Sequence, residues 1–114
     1  MRQIYNYYKK HGHQTIVMGA SFRSVGEVLA LCGCDRLTIS PALLKEMDTI
    51  TDEVPVKLSA EEAQKLEIPA IVVDEKKFRW EMNQDAMANE KLAEGIRKFA
   101  ADLDKLEGIV KSKL

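Results

Sequence analysis

The segment Gly-Ala-Ser-Phe-Arg, residues 19–23, holds the side chains best suited to chemistry in this sequence. It follows a short apolar stretch, and its first two small residues leave room for a ligand to approach the backbone. Ser21 offers a hydroxyl donor, and Arg23 offers a fork of N–H donors that matches phosphate oxygens. A helix predicted to begin after Ser24 points its free N–H groups to the same place. The segment therefore predicts a phosphate-binding site, the alternative being a plain strand-to-helix turn in which Arg23 only caps the helix or forms a pair on the surface.

No catalytic residue can be assigned from the sequence. It contains neither a glycine-rich P-loop nor a GxSxG nucleophile turn. A Schiff-base lysine is expected at a desolvated strand end, and every lysine lies outside the predicted strands. Asp35 precedes the second predicted strand, so we expect it at the end of the sheet opposite Arg23. Ser40 follows that strand, and a helix cap is a simpler interpretation than a second ligand-binding group.

The cysteine and histidine content predicts no metal site. Cys32 and Cys34 are one residue apart, a spacing poorly suited to a disulfide. Two thiols do not complete a four-ligand zinc site, and His11 and His13 add no convincing further ligands. We expect both cysteines to be ordinary free thiols, buried at Cys32 and partly exposed at Cys34.

The first half of the chain alternates helices with apolar strands. The pattern predicts helices over residues 2–10, 24–32 and 41–47, and strands over 15–21 and 36–40. The strand 15–21 is apolar at nearly every position, which is typical of a parallel strand buried on both faces. This order predicts an α/β fold with a parallel sheet.

The second half is predicted to be mostly helical. Residues 48–57 have no periodicity and are interpreted as a loop, after which Ser59 caps a short helix. Residues 69–73 suit a short strand or an extended segment, and residues 74–82 suit a helical turn. A long helix is predicted after Asp85, with apolar residues spaced by three and four positions. These are Leu92, Ile96, Phe99, Leu103, Leu106 and Val110. The stripe favours a helix packed on a domain, although its heptad spacing also permits a coiled coil.

Composition excludes several classes of protein. With 114 residues, 46% of them hydrophobic and 31% charged, and a net charge of −1, the chain resembles an ordinary globular domain. Residues 1–47 carry six basic and three acidic side chains, and residues 48–114 carry eleven and fifteen. Neither part is basic enough to predict nucleic-acid binding. No membrane span or secretory signal is recognisable, so we expect a cytoplasmic protein with no membrane partner.

Three stretches of the sequence carry a resemblance to a known family. They read TIVMGASFRSVGEVLALCGCDRLTISPALL, FRWEMNQDAMANEKL and EKLAEGIRKFAADLDKLE. Together they resemble the C-terminal part of transaldolases of the long bacterial and eukaryotic type, from about Gln3 to Val110. The family commonly has asparagine directly after the arginine of GASFR, where this chain has Ser24; we expect this difference to matter little.

The resemblance implies a fold and a reaction. Transaldolases are (β/α)8 barrels that move a dihydroxyacetone unit from a ketose phosphate, such as fructose 6-phosphate or sedoheptulose 7-phosphate, to an aldose phosphate. A lysine forms a Schiff base with the ketose while an aspartate and a glutamate assist, without metal or organic cofactor. The family's GASFR motif binds the substrate phosphate, which implies that role for Ser21 and Arg23.

The resemblance also implies that residues 1–114 form only part of a barrel. Residues 1–47 would supply its last two β/α units, 48–84 a loop with short helices, and 85–114 the long helix. A barrel takes about 250 residues, and the Schiff-base lysine has no counterpart in this chain. We therefore expect the chain alone to be inactive, and to need the missing N-terminal part or a second copy as its partner. The alternative is an autonomous helical interaction or dimerisation module with at most a weak anion site.

Overall fold

A computed structural model describes residues 1–114 as two compact units, Met1–Ala70 and Ile71–Leu114. The first unit contains four helices and two strands, and the second contains two helices. In chain order the elements are α1 (Arg2–Lys10), β1 (Met18–Gly19), α2 (Val25–Leu29), β2 (Arg36–Leu37), α3 (Pro41–Met47), α4 (Ala60–Lys65), α5 (Glu75–Gln84) and α6 (Ala86–Lys111). The division between the units falls inside the segment 48–84.

The sheet confirms the predicted parallel pairing but is much smaller than predicted. Met18 pairs with Arg36 and Gly19 pairs with Leu37, so each strand is only two residues long. The expectation that the first strand is buried on both faces is wrong. Val17 is 3% exposed, whereas Met18 is 54% exposed. Successive side chains of a strand point to opposite faces, and the helices of this chain cover only one face.

Helices cover that face of the sheet through two apolar clusters. In the first cluster Tyr5 of α1 packs with Val17 and with Leu58, which precedes α4. In the second, Val25 and Val28 of α2 pack with Leu43 of α3. A parallel strand pair connected by a helix needs such cover, since its apolar side chains otherwise face water. The core therefore lies between the sheet and its helices, within the first unit.

Short polar side chains begin the helices at the predicted positions. The Ser59 hydroxyl accepts a hydrogen bond from the N–H of Glu62 at the start of α4. The Asp85 carboxylate accepts one from the N–H of Ala88 at the start of α6. Both interactions satisfy N–H groups that the first turn of a helix leaves without an internal partner. The sequence-predicted caps at Ser59 and Asp85 are confirmed.

The second unit consists of a helix pair with no buried side chain. Residues 69–73 belong to no strand or helix, so the short strand that the sequence allowed there is not formed. Residues 75–84 form a complete ten-residue helix rather than the predicted single turn. All six apolar side chains of the α6 stripe are exposed, from 50% at Val110 to 78% at Phe99. No helix of the chain combines the length and the apolar character needed to cross a membrane.

Candidate phosphate-binding site

The predicted phosphate-binding residues lie in the loop between β1 and α2. The strand ends at Gly19, and the helix begins at Val25 after the N-cap Ser24. The loop therefore leaves the C-terminal end of a parallel strand, which is where β/α folds commonly build ligand sites. The N-cap role of Ser24 follows from its hydroxyl, which accepts a hydrogen bond from the N–H of Glu27.

Ser21 has a backbone conformation that the sequence did not predict. Its φ is 60°, and it is the only residue other than glycine with a positive φ. The left-handed region is unfavourable for a residue with a Cβ atom. Strained residues of this kind cluster at ligand-binding loops, where the surrounding structure holds them in place. The strain at Ser21 is thus a second, independent reason to regard this loop as functional.

Both predicted side chains are available to a ligand. Ser21 and Arg23 are exposed, and neither side chain makes a hydrogen bond or an ion pair within the chain. The alternative in which Arg23 pairs with a neighbouring carboxylate on the surface is therefore absent from this structure. Two unpartnered donor groups, two positions apart on one short loop, suit an anion with several acceptor oxygens.

The helix that follows contributes less than the sequence suggested. The α2 helix has only five residues, which limits its dipole because few peptide units add to it. The carboxylate of Glu27 also accepts the backbone N–H of Arg23, at 2.7 Å. An acidic side chain therefore occupies part of the helix N-terminus. The Ser21 and Arg23 side chains, rather than the helix N-terminus, are therefore the donor groups of this loop that are left without an acidic neighbour.

Gly19 serves the packing of the strand end. A Cβ atom at this position would lie 2.9 Å from both Leu37 Cδ2 and Phe22 Cζ, and 3.1 Å from Leu31 Cδ1. The space that the glycine leaves is thus filled by side chains of this chain. Because Gly19 has no side chain, the loop, β2 and Leu31 just after α2 approach one another closely. This packing fixes where the loop begins.

Ser40 caps α3, as expected. Its hydroxyl accepts a hydrogen bond from the N–H of Leu43, and Pro41 occupies the first position of the helix. The hydroxyl accepts this bond at 3.4 Å, and no hydrogen bond joins Ser40 to Ser21 or Arg23.

The opposite end of the sheet carries an ion pair that sequence reasoning missed. Asp35 lies there, as predicted, and it pairs with Lys9 of α1 at 2.8 Å. Hydrogen bonds from Lys9, and next from the N–H of Val17, hold the pKa of the Asp35 carboxyl below its usual range. The same hydrogen bond raises the pKa of Lys9, so this lysine stays protonated and is unsuited to forming a Schiff base. Burial raises the pKa of the neighbouring Tyr5 hydroxyl.

The cysteines and a cavity beside α1 and α4 involve no residue of the loop. Cys32 and Cys34 are both free and partly buried, so the expectation of a fully buried Cys32 is wrong. The Cys34 thiol donates a hydrogen bond to the carbonyl of Val17 at 3.2 Å. No group of three or more potential metal ligands is present. A cavity of about 420 Å³ lies between α1 and α4 and includes neither Ser21 nor Arg23.

Comparison with known proteins identifies the family of the chain. A sequence model described as transaldolase/fructose-6-phosphate aldolase matches residues 1–110. The chain belongs to this family. A probable transaldolase from Drosophila melanogaster is 60% identical over 97% of this chain. A transaldolase from Allorhizobium ampelinum is 60% identical over the full length of this chain. A transaldolase from Alteromonas mediterranea is 58% identical over 98% of the chain.

This transaldolase-family chain spans about a third of the length of the curated relatives it matches. The aligned part is 34% of the Drosophila protein and 35% of the Allorhizobium protein. The family match extends over the whole first unit and over all but the last four residues of the second. The resemblance predicted from the sequence to the C-terminal part of transaldolases is therefore confirmed.

Proposed function

We propose that this chain is the part of a transaldolase that binds the phosphate group of the sugar-phosphate substrate. The Ser21 hydroxyl and the Arg23 guanidinium donate hydrogen bonds to the phosphate oxygens. One observation carries the proposal: in a transaldolase-family chain, two exposed and unpartnered donors share a strained loop at the end of a parallel strand. Arginine suits this role because its planar N–H donors match two phosphate oxygens at once.

The covalent chemistry of the proposed reaction needs residues outside this chain. The transfer of a dihydroxyacetone unit from a ketose phosphate, such as sedoheptulose 7-phosphate or fructose 6-phosphate, to an aldose phosphate requires a lysine that forms a Schiff base with the ketose carbonyl. Neither β1 nor β2 contains a lysine. We assign no catalytic residue, metal or cofactor to the chain, and we propose that it completes a (β/α)8 barrel together with a further part of the enzyme.

Phosphate binding can be tested on the chain itself by nuclear magnetic resonance. Inorganic phosphate and fructose 6-phosphate are titrated into 15N-labelled protein while the amide signals of Ser21 and Arg23 are followed. A charge-assisted hydrogen bond contributes about 1.5–3 kcal/mol, so we expect Arg23→Ala to weaken binding at least about tenfold. Arg97→Ala removes the same charge from the exposed surface of α6, and we expect it to leave the affinity for phosphate unchanged. Equal affinities for Arg23→Ala and the wild type would show that the site lies elsewhere.

The proposal that the covalent chemistry needs a further part of the enzyme can be tested by an activity measurement. We expect no transaldolase activity from the chain alone. Activity is expected when the chain is mixed with the part of the Allorhizobium transaldolase that it does not match. In the mixture, Arg23→Ala should raise the KM for fructose 6-phosphate without preventing assembly, whereas Arg97→Ala should leave the KM unchanged. Activity of the chain alone would contradict the proposal.

A second candidate function is supported by the exposed stripe of α6. Six apolar side chains, each at least 50% exposed, lie on one helix at heptad spacing. An autonomous interaction module would use this surface to dimerise or to bind a partner helix. Light scattering separates the two functions: a dimer that is independent of concentration and indifferent to sugar phosphates favours the module.

A further inference from the structure

The position of β1 depends on very few backbone hydrogen bonds. Each strand of the sheet has only two residues. On one side of this pairing the N–H of Arg36 donates to the carbonyl of Val17, at 3.2 Å, and the N–H of Thr38 donates to the carbonyl of Gly19, at 2.8 Å. A strand pair this short has little capacity to fix its own register. Any additional bond to β1 therefore has a large effect on where the strand ends.

Asp35 supplies such a bond through its side chain. Its carboxylate accepts the N–H of Val17 at 2.8 Å. Val17 is buried, with 3% of its surface exposed, so its N–H group would be costly to leave without a partner. The carbonyl of the same residue already accepts from Arg36 and from the Cys34 thiol. The residues directly before β2 thus satisfy both backbone polar groups of Val17.

Lys9 fixes the carboxylate that performs this role. The ammonium of Lys9 lies 2.8 Å from one oxygen of Asp35 and 2.9 Å from the other. The side chains of Lys9 and Asp35 are only 22% and 20% exposed, so the pair is better shielded from water than a surface ion pair. The ion pair joins α1 to the sheet and orients the carboxylate toward Val17.

We infer that Asp35 is a positioning residue for the phosphate-binding loop. Ser21 lies four residues beyond Val17, about 13 Å along an extended chain, so Asp35 acts through β1 and not by contact with the ligand. With Val17 held, Gly19 stays packed against Leu37 and the strained conformation of Ser21 is maintained. Without that bond the start of the loop shifts and the Ser21 and Arg23 donors separate. The inference rests on the proposed function.

The test uses inorganic phosphate as the ligand and the full 114-residue chain. Asp35→Ala removes the acceptor, and we expect it to weaken phosphate binding about fivefold or more. Asp35→Asn keeps an oxygen at the same place without the charge, and we expect it to bind within about twofold of the wild type. Cys34→Ala is the matched control, because it removes a bond to the Val17 carbonyl, which keeps its bond from Arg36. This variant should also bind phosphate within about twofold of the wild type.

The results separate this inference from the proposed function. Tight binding by Asp35→Ala together with weak binding by Arg23→Ala overturns the positioning role and leaves the proposed function intact. Unchanged binding by Arg23→Ala overturns the proposed function itself. If Asp35→Ala does not fold, Asp35→Asn is compared with Asp35→Glu, which keeps the charge but moves the carboxylate by one methylene. The inference requires Asp35→Asn to bind phosphate more tightly than Asp35→Glu. Equal affinities, or tighter binding by Asp35→Glu, overturn it.

Discussion

Replacing Gly33 with alanine should strongly destabilise the first unit, and the structure gives the reason. Gly33 has a φ of +99°, and a Cβ atom there would lie 2.0 Å from the carbonyl oxygen of Leu58. That oxygen belongs to the backbone, so it cannot rotate away as a side chain would. The contact lies beside the hydrogen bonds that the N–H groups of Lys57 and Leu58 donate to the carbonyl of Cys32. Relieving the overlap therefore requires these two bonds to break.

The cost of this substitution can be worked from its parts. A left-handed conformation costs a residue with a Cβ atom about 1–2 kcal/mol. Each broken backbone hydrogen bond costs about 1 kcal/mol, which brings the total for Gly33→Ala to about 3–4 kcal/mol. Gly12 is the matched control, because its φ is +71° and no atom lies within 4 Å of its hypothetical Cβ. Gly12→Ala should therefore cost only the conformational part, about 1–2 kcal/mol.

The two units can be observed separately during urea unfolding. All three tyrosines, residues 5, 7 and 8, lie in the first unit, and the single tryptophan, Trp80, lies in the second. Near-ultraviolet circular dichroism of the tyrosines therefore reports on the unit that contains Gly33. We expect Gly33→Ala to lower the urea midpoint of this signal about two to three times as far as Gly12→Ala. Equal shifts for the two variants would refute the argument from the close contact with Leu58.

Three further predictions concern the helices and the ion pair. Gly108→Ala should stabilise α6 by about 1 kcal/mol, because no atom would contact the added methyl group; far-ultraviolet circular dichroism during urea unfolding measures this, and a loss of stability would contradict it. Asp85→Ala should destabilise α6 by about 1 kcal/mol through loss of the bond to the Ala88 N–H, and unchanged helicity and urea midpoint would show that the cap is unimportant. Because the folded state lowers the pKa of Asp35, its contribution to stability is fully present above the ordinary carboxyl pKa of about 3.9 and is lost as the pH falls through the lowered value. Asp35→Asn should therefore lose less stability between pH 5 and pH 2 than the wild type. Parallel profiles of stability against pH for the two proteins would show that the Asp35 carboxylate does not stabilise the fold.

Local features of the fold could be predicted from the sequence. The bounds of α1 and α3 and the caps at Ser59 and Asp85 agree with the structure. A cap depends on a side chain and an N–H group three residues later, so all of its determinants lie within one turn. The parallel pairing was also predictable, because an apolar strand followed by a helix and another strand has few alternatives. The same order along the chain placed Ser21 and Arg23 at the C-terminal end of β1.

Interactions between distant residues were decided by the tertiary structure alone. The bonds of Asp35 to Val17 and to Lys9 join residues 18 and 26 positions apart, and no periodicity in the sequence indicates them. The left-handed backbone of Ser21 is equally hidden, because serine has no preference for that conformation. The sequence also overestimated the strands, since an apolar residue such as Met18 looks buried whether or not another element covers it. Residue types determined the local elements and the candidate donors, whereas packing determined how much of the sheet forms and what holds its loop.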